Sequence, residues 1–351
     1  MLEPPEINES LIFDRLWDEY NFRADRLTFL ALGADVNTAV YRVEVGNTNY
    51  FLKLRKGDFD EISVAVPHLL SKRGQTAIIA PLGTQSGLLW GTVRNYRMIL
   101  YPFVAGQDGY QCTLSTDQWL AFGVHMRDIH STKLPKELRL RIPYETYSPS
   151  WRKRVRNFQR QVETVEYPDP IAAQLAAFMH AQRDTITQLV DYAEQFANDL
   201  LSHPRRFVLC HGDNHPGNLL LPNSDPTRLY IVDWDNPLYA PCERDLAMIG
   251  GATAWSRAED MALFYRGYHG VEVNPLDGSP LHAEIDPVGL RYYRCERIIV
   301  DIAEFCQQLL TNTAGGEDRA QSFAYFTSAF LPGHEVELAL SEDQSAMYAD
   351  R

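Results

Sequence analysis

The chain has 351 residues, 45% of them hydrophobic, and a formal net charge of −13. That length can bury a large core and favours two lobes, while the acidic balance argues against a nucleic-acid surface, which must neutralise phosphates, and suits a cationic small substrate. The five cysteines have neither an even count nor zinc-type spacing, the N-terminal stretch MLEPPEINES lacks the basic-then-apolar pattern of a signal peptide, and no apolar run is long enough for a bilayer. No membrane span and a cytoplasmic location are expected.

In chain order, the first hundred residues read as strands. Leu27 to Leu32, Val40 to Val45 and Asn49 to Leu54 are rich in β-branched, aromatic and aliphatic residues. The loop Gly33 to Thr38 separates the first two, and Gly46-Asn47 is a hairpin turn signal between the second and third. A helix is expected from about Asp60 to Ser71, with Pro67 an awkward member, then strands at Ile78 to Pro81, Leu88 to Trp90 and Tyr96 to Phe103. Beyond Gly106 the period becomes helical. Trp119, Phe122, Met126 and Ile129 form one stripe, Leu175, Phe178, Ile186, Leu189 and Tyr192 lie in a long later segment, and Leu290 to Leu310 forms another helix. The expectation is an α+β, protein-kinase-like architecture: a strand-rich, nucleotide-binding N-lobe over residues 1–103 and a mainly helical C-lobe over 104–351 that carries the catalytic loop and substrate pocket.

The chemical signal is the stretch Leu209 to Leu221, which contains His211-Gly212-Asp213-Asn214-His215-Pro216-Gly217-Asn218, followed by Ile231-Val232-Asp233-Trp234-Asp235. Gly, Asn, Asp and Pro also make ordinary turns. The spacing says more. Phosphoryl transfer passes through a loose transition state, so a protein mainly positions the acceptor and neutralises charge with magnesium. Asp213, in a loop after the apolar strand Phe207 to Cys210, can orient a hydroxyl and accept its proton. Magnesium wants oxygen ligands and keeps several waters, so Asn218 and Asp233 make a sufficient set.

The order aspartate, asparagine five positions on, and a later metal-binding aspartate is that of the protein-kinase signature, with His-Gly-Asp for His-Arg-Asp and Asp-Trp-Asp for Asp-Phe-Gly. The missing arginine removes the usual handle for a phosphorylated activation loop. Lys53, on the third strand, is then the candidate contact for the α- and β-phosphates, with Glu61 its expected helix partner and Asp60 a rival. Backbone N–H groups around Asp35, in the loop between the first two strands, can approach the phosphates. The linker Ile99 to Val104, with Tyr101 and Phe103, can offer backbone to the adenine edge.

These motifs, HGDNHPGN with IVDWD, resemble the aminoglycoside phosphotransferase and choline kinase superfamily. Within it, the segments GADVNTAVYRVE, FLKLRKGDFDEI, ILYPFVAGQDGY, YSPSWRKRVRNF, VDWDNPLYAPCERDLAMIGG and YYRCERIIVDIAEF look like the spectinomycin-modifying type, from near the N-terminus to about Leu340. The resemblance implies ATP with magnesium, Asp213 as base, Asn218 and Asp233 as metal ligands, Lys53 as phosphate contact, and transfer to a hydroxyl of a cationic aminocyclitol such as spectinomycin. His215 stands where the superfamily has a lysine or another donor, so it either reaches the γ-phosphate or only braces the loop. Protonated substrate amines call for carboxylates: Asp235, Glu243, Asp245, Asp301 and Glu304 are the candidates, with Trp234, Tyr239 and Trp255 for apolar or cation–π contact. Glu243-Arg244-Asp245 also reads as an ion-pair and capping cluster. The basic run Arg152 to Arg156 reads as a solvated helix face. A kinase of choline, a sugar or an amino-acid-like alcohol would keep the same reactive residues. A non-catalytic kinase-like binding protein would have no need of Asp213, Asn218 and Asp233 together.

Overall fold

The computed structural model describes residues 4–32, 37–270, 285–312 and 316–341. They divide into two compact units that interleave along the chain: Met1–Gln118, Thr132–Ile142 and Gly217–Pro237 in the first, Trp119–Ser131, Pro143–Pro216 and Leu238–Arg351 in the second. The segment carrying Asn218 and Asp233 therefore folds with the strand-rich N-terminal part.

The first unit opens with helix α1 (Glu9–Tyr20). Asn8 caps it by accepting from the Ser10 N–H, and Asn21 closes it at φ 58°, a left-handed conformation that asparagine tolerates. Five antiparallel strands follow: β1 (Arg26–Leu30), β2 (Thr38–Val45), β3 (Thr48–Lys56), β4 (Gly91–Val93) and β5 (Tyr96–Pro102). Their order in the sheet is β1-β2-β3-β5-β4. The Gly46-Asn47 turn joins Val45 to Thr48 as expected, with Gly46 at φ 56°. Strand periodicity then decides which side chains face where. Leu52 and Leu54 pack with Tyr41, Val43, Met98 and Leu100 on the α1 face, against Ile12, Leu16 and Tyr20. Phe51, Lys53 and Arg55 alternate with them, so they lie on the other face.

Helix α2 (Ile62–Lys72) runs through Pro67. Two expected strands differ. Ile78 to Pro81 joins no ladder, although its neighbour Ala77 accepts from the Ile231 N–H at 2.8 Å. Leu88 to Trp90 follows a turn in which the Thr84 N–H donates to the Leu88 carbonyl at 2.7 Å and Gly87 takes φ 83°, so strand pairing starts only at Gly91. A separate three-stranded sheet sets β6 (Gly106–Asp108) and Tyr230–Ile231 on either side of Leu219–Pro222.

The second unit is built on the helix Pro287–Thr311, which packs on Arg183–Ser202 and Ser150–Thr164. The later apolar stripe, read as one long segment, belongs to two helices, Pro170–Ala181 and Arg183–Ser202, separated at Gln182. Phe178 packs on Phe326 and Phe330. The helix Thr116–His130 buries Trp119, Phe122, Met126 and Ile129 as its spacing predicts, with Trp255 and Phe264 stacked edge-on against Phe122. The basic run is not uniformly a solvated face. Lys153 and Arg154 are exposed, but Arg152 shares the inward face with Val155, three positions on, and is buried against Glu296 at 2.8 Å.

Backbone approaches closely at one helix crossing. A Cβ on Gly123 would lie 2.0 Å from the Phe264 carbonyl oxygen, and one on Gly267 would lie 2.1 Å from that of Leu120. Both obstacles are main chain, which cannot rotate aside. Gly123→Ala and Gly267→Ala are each expected to cost about 1–3 kcal/mol or more by overpacking, read as a fall in thermal midpoint; a midpoint equal to wild type for both would refute the close crossing.

Candidate active site

In the first unit, the ladder of Leu219–Pro222 with Tyr230–Ile231 sets Leu219 opposite Ile231, and the Val232 N–H donates to the Asn218 carbonyl at 2.9 Å. Asn218 and Asp233 thus sit at the same end of one hairpin. Asp233 follows at φ 63°, and the Trp234 indole N–H donates back to the Ile231 carbonyl at 3.0 Å. That bond, with Trp234 buried, pins the turn. An amide and a carboxylate side chain so placed are hard oxygen donors of the kind magnesium takes.

Lys53 is buried, and its ammonium donates to Asp233 at 2.7 Å and to Asp235 at 2.8 Å. Burial alone would lower its pKa. The two carboxylates more than reverse this, so its pKa is held above the usual lysine range. Asp235 also pairs with Arg55; its own carboxyl is pushed up by burial and by the Asp233 charge, against the pull of Lys53 and Arg55. Glu61 does not fill the expected role of lysine partner. It lies just before α2, half exposed, and pairs with Arg141 at 3.1 Å, while among the described residues the carboxylates on Lys53 are Asp233 and Asp235. The rival Asp60 caps α2 by accepting from the Ile62 N–H at 3.0 Å. Asp35 lies outside the described residues. Tyr101 is in β5 opposite Phe51, and Phe103, whose N–H donates to Asn49, lines a cavity of about 470 Å³ with Val104, Ala105 and the Pro222 to Asp225 turn.

In the second unit, the strand Val208–Cys210 pairs with Leu238–Ala240 and delivers the loop that begins at His211. Gly212 takes φ 86°. Asp245, fully buried, accepts from the His211 N–H at 2.7 Å and the Gly212 N–H at 2.8 Å, and its own carbonyl accepts from the Asn214 side chain at 2.8 Å. Arg244 donates to the Gly212 carbonyl at 2.8 Å. His130 Nε2 lies 3.0 Å from Asp245 and its Nδ1 lies 2.8 Å from the Tyr268 hydroxyl. Arg244 and Asp245 thus hold the loop, as the capping reading of that cluster implies. His130, Cys210 and Asp245 approach within 4.8 Å of one another, and burial pushes the Cys210 thiol well above its ordinary pKa.

Asp213, at the tip, is engaged by Arg297 from the helix Pro287–Thr311, and His215 Nε2 lies 3.7 Å away. Burial would raise its pKa, but the Arg297 guanidinium, then His215 and His211, hold it well below the ordinary carboxylate range. Arg297 also donates to Asp301 at 3.1 Å. Residues 297, 301 and 304 recur at i, i+4 and i+7, so Arg297, Asp301 and the exposed Glu304 lie along one side of the helix. Glu243 is buried and accepts from the Asp286 N–H at 2.7 Å, at the start of that helix; burial pushes its carboxyl up. Sequence reasoning missed Arg297, Arg55 and His130. Arg297 carried one readable signal, its i,i+4 spacing to Asp301, and Arg55 another, its same-face position two residues from Lys53.

The family model for the phosphotransferase enzyme family (APH) matches residues 28–281, well over half of the chain. The chain belongs to that family, and its α+β, kinase-like fold is the family's. A solved structure of the spectinomycin phosphotransferase APH(9)-Ia in complex with ADP and spectinomycin is similar over 97% of this chain and 100% of that one, at 33% identity and a TM-score of 0.86. Its AMP-bound complex matches over 95% and 99%, at 32% identity and a TM-score of 0.82. A choline kinase from Streptococcus pneumoniae shares the fold at 12% identity and a TM-score of 0.55, over 91% of this chain and 97% of that one. Protein StrN of Streptomyces griseus is 22% identical over 215 residues, a match that spans 58% of this chain and 65% of that protein. Among the described residues, no helix is long and apolar enough to cross a membrane.

Proposed function

We propose that this protein transfers the γ-phosphate of ATP, with magnesium, to a hydroxyl of a cationic aminocyclitol, with spectinomycin the first candidate. The observation that carries the reading is the first unit's cluster: a buried, charged Lys53 held against Asp233, at the hairpin end that also bears Asn218. Lys53 is buried against two carboxylates in a segment that, with Asn218, follows the order that phosphoryl transfer uses. The likeness to a phosphotransferase solved with ADP and spectinomycin, over nearly the whole length of both chains, supports the donor and acceptor classes.

In this reading Asn218 and Asp233 hold the metal, which when bound neutralises charge on the transferring group. Lys53 contacts the phosphates, and the linker with Tyr101 and Phe103 meets the adenine. Asp213 orients the acceptor hydroxyl and takes its proton, while His215, beside it, donates a hydrogen bond to the γ-phosphate. Asp301 and Glu304, on the helix side that begins at Arg297, are the carboxylates for the substrate's ammonium groups. Glu243 and Asp235 are engaged in bracing the fold and Lys53 and are not assigned that role. ATP as donor fits a cytoplasmic setting.

The test is a coupled ADP-release screen over spectinomycin, other aminocyclitols, aminoglycosides and choline. Release with spectinomycin well above the rest supports the reading. Release with choline alone overturns the acceptor, and silence throughout, together with no ADP binding, would favour a binding protein.

Arg297 gives this reading a pH signature. A depressed carboxyl stays ionised until the pH falls through its low value, so the acid limb of kcat/KM lies far below neutrality in the wild type. Arg297→Gln removes the cation that lowers it, and the limb is expected to move to higher pH, with Arg297→Lys intermediate. An unmoved limb in Arg297→Gln would separate Arg297 from the ionisation of Asp213.

A further inference from the structure

The segment after the hairpin carries two aspartates where one suffices for metal. Asp233 is spoken for as a ligand, yet Lys53 pairs with both, at 2.7 and 2.8 Å, and Asp235 is shared with Arg55 on the same face of β3. Among the described residues no helix glutamate, on which a kinase-type lysine ordinarily relies, pairs with Lys53: Glu61 is half exposed and paired with Arg141. We propose that Asp235 is the standing counter-ion of Lys53, taking over the role of the helix glutamate, and that with Arg55 it positions the lysine for the nucleotide phosphates. This rests on the kinase reading given above.

A buried ammonium needs a counter-charge. Once Asp233 turns to a divalent cation, Asp235 is the carboxylate left to hold Lys53, and the lysine's remaining donors are available for phosphate oxygens. Without Asp235, Lys53 and the metal must compete for one carboxylate. Asp235 is therefore a positioning residue whose loss weakens metal-dependent nucleotide binding, not merely folding. Its place two positions after the metal aspartate lets one short segment serve both cations, whereas a helix partner would have to hold its place through α2. The exposed pair Glu61–Arg141 then has only a surface role, which is worth little.

The experiment uses the full chain and measures ADP affinity by calorimetry with and without magnesium, alongside steady-state kinetics with the best acceptor from the screen. For Asp235→Asn, we expect the magnesium-dependent gain in ADP affinity to shrink by about tenfold, KM for ATP to rise by a similar factor, and magnesium-free ADP affinity to be no weaker than wild type. Asp235→Glu, which keeps the charge, should recover part of the loss, and Glu61→Gln should stay within about twofold of wild type. In a Lys53→Met background, removal of Asp235 should leave the magnesium effect unchanged, because its partner is gone. If Asp235→Asn folds poorly, Asp235→Glu and the Lys53→Met pair still decide the matter by calorimetry. Wild-type magnesium dependence in Asp235→Asn, or a large loss in Glu61→Gln, overturns the assignment of Asp235 and leaves the kinase reading standing. Failure of the wild type to bind ADP at all overturns both.

Discussion

Asp213→Asn is expected to reduce kcat by about 10²–10⁴-fold, the usual worth of a positioned proton acceptor, and to leave ADP affinity within about twofold. The substitution keeps the shape of the side chain and changes what it can do. Asn still reaches the space in front of Arg297, but it has no charge with which to hold a guanidinium or take a hydroxyl proton. The fold around the position should tolerate it. The loop is held from beneath by Asp245, which accepts from His211 and Gly212, and by Arg244 on the Gly212 carbonyl, none of which involves the Asp213 carboxylate. In the proposed reading nucleotide affinity draws on Lys53, Asn218 and Asp233, which belong to the other compact unit. The split between kcat and binding is the diagnostic. Equal losses in kcat and ADP affinity, or wild-type turnover, would remove Asp213 from the role of base.

Much of this arrangement was readable because local rules and global packing agree. The Gly46-Asn47 turn, the strands on either side of it, and the alternation that puts Leu52 and Leu54 inward and Lys53 on the other face follow from period-two patterning alone. The stripe Trp119, Phe122, Met126, Ile129 is equally plain, since each is buried in one helix. What escaped was set by contacts distant in sequence. No local pattern says that Arg297 meets a side chain 84 positions away, or that His130 meets one 115 away. Glu61 was expected beside Lys53 from its place in the chain after the third strand; its side chain instead finds Arg141, 80 positions on, and Lys53 finds its charge in a segment 180 positions downstream. Arg152 shows the converse limit: a run of four basic residues reads as surface, yet the helix period turns one of them inward, where Glu296 neutralises it. Composition describes a run, whereas burial is decided residue by residue.

Asp245 illustrates how much of the reactive loop's geometry depends on a residue that touches no substrate in the proposed reaction. Its carboxylate is completely buried, yet its pKa lies below the ordinary range: burial pushes it up, and the His130 hydrogen bond, the histidine charges and the Gly212 N–H outweigh that push. Asp245→Asn replaces one acceptor oxygen by a donor that must face an N–H or the His130 ring, so at least one buried donor loses its partner. The expected cost is about 3–5 kcal/mol, as for a buried charge network broken at one member, a large fraction of the 5–15 kcal/mol typical of a folded domain. Urea unfolding followed by circular dichroism measures it, and a loss under about 1 kcal/mol would show that the loop is held by other means. The same carboxylate has an acid signature. Because its folded pKa is depressed, its contribution is fully present above the unfolded value of about 4 and is lost as pH falls through the lower folded value. Wild-type stability should therefore decline below about pH 4 more steeply than that of Asp245→Asn, which has already forfeited the term. Because the loop that presents Asp213 hangs from these bonds, the variant should also lose turnover under conditions where it remains folded, and ADP affinity, which in the proposed reading draws on the other unit, should fall less.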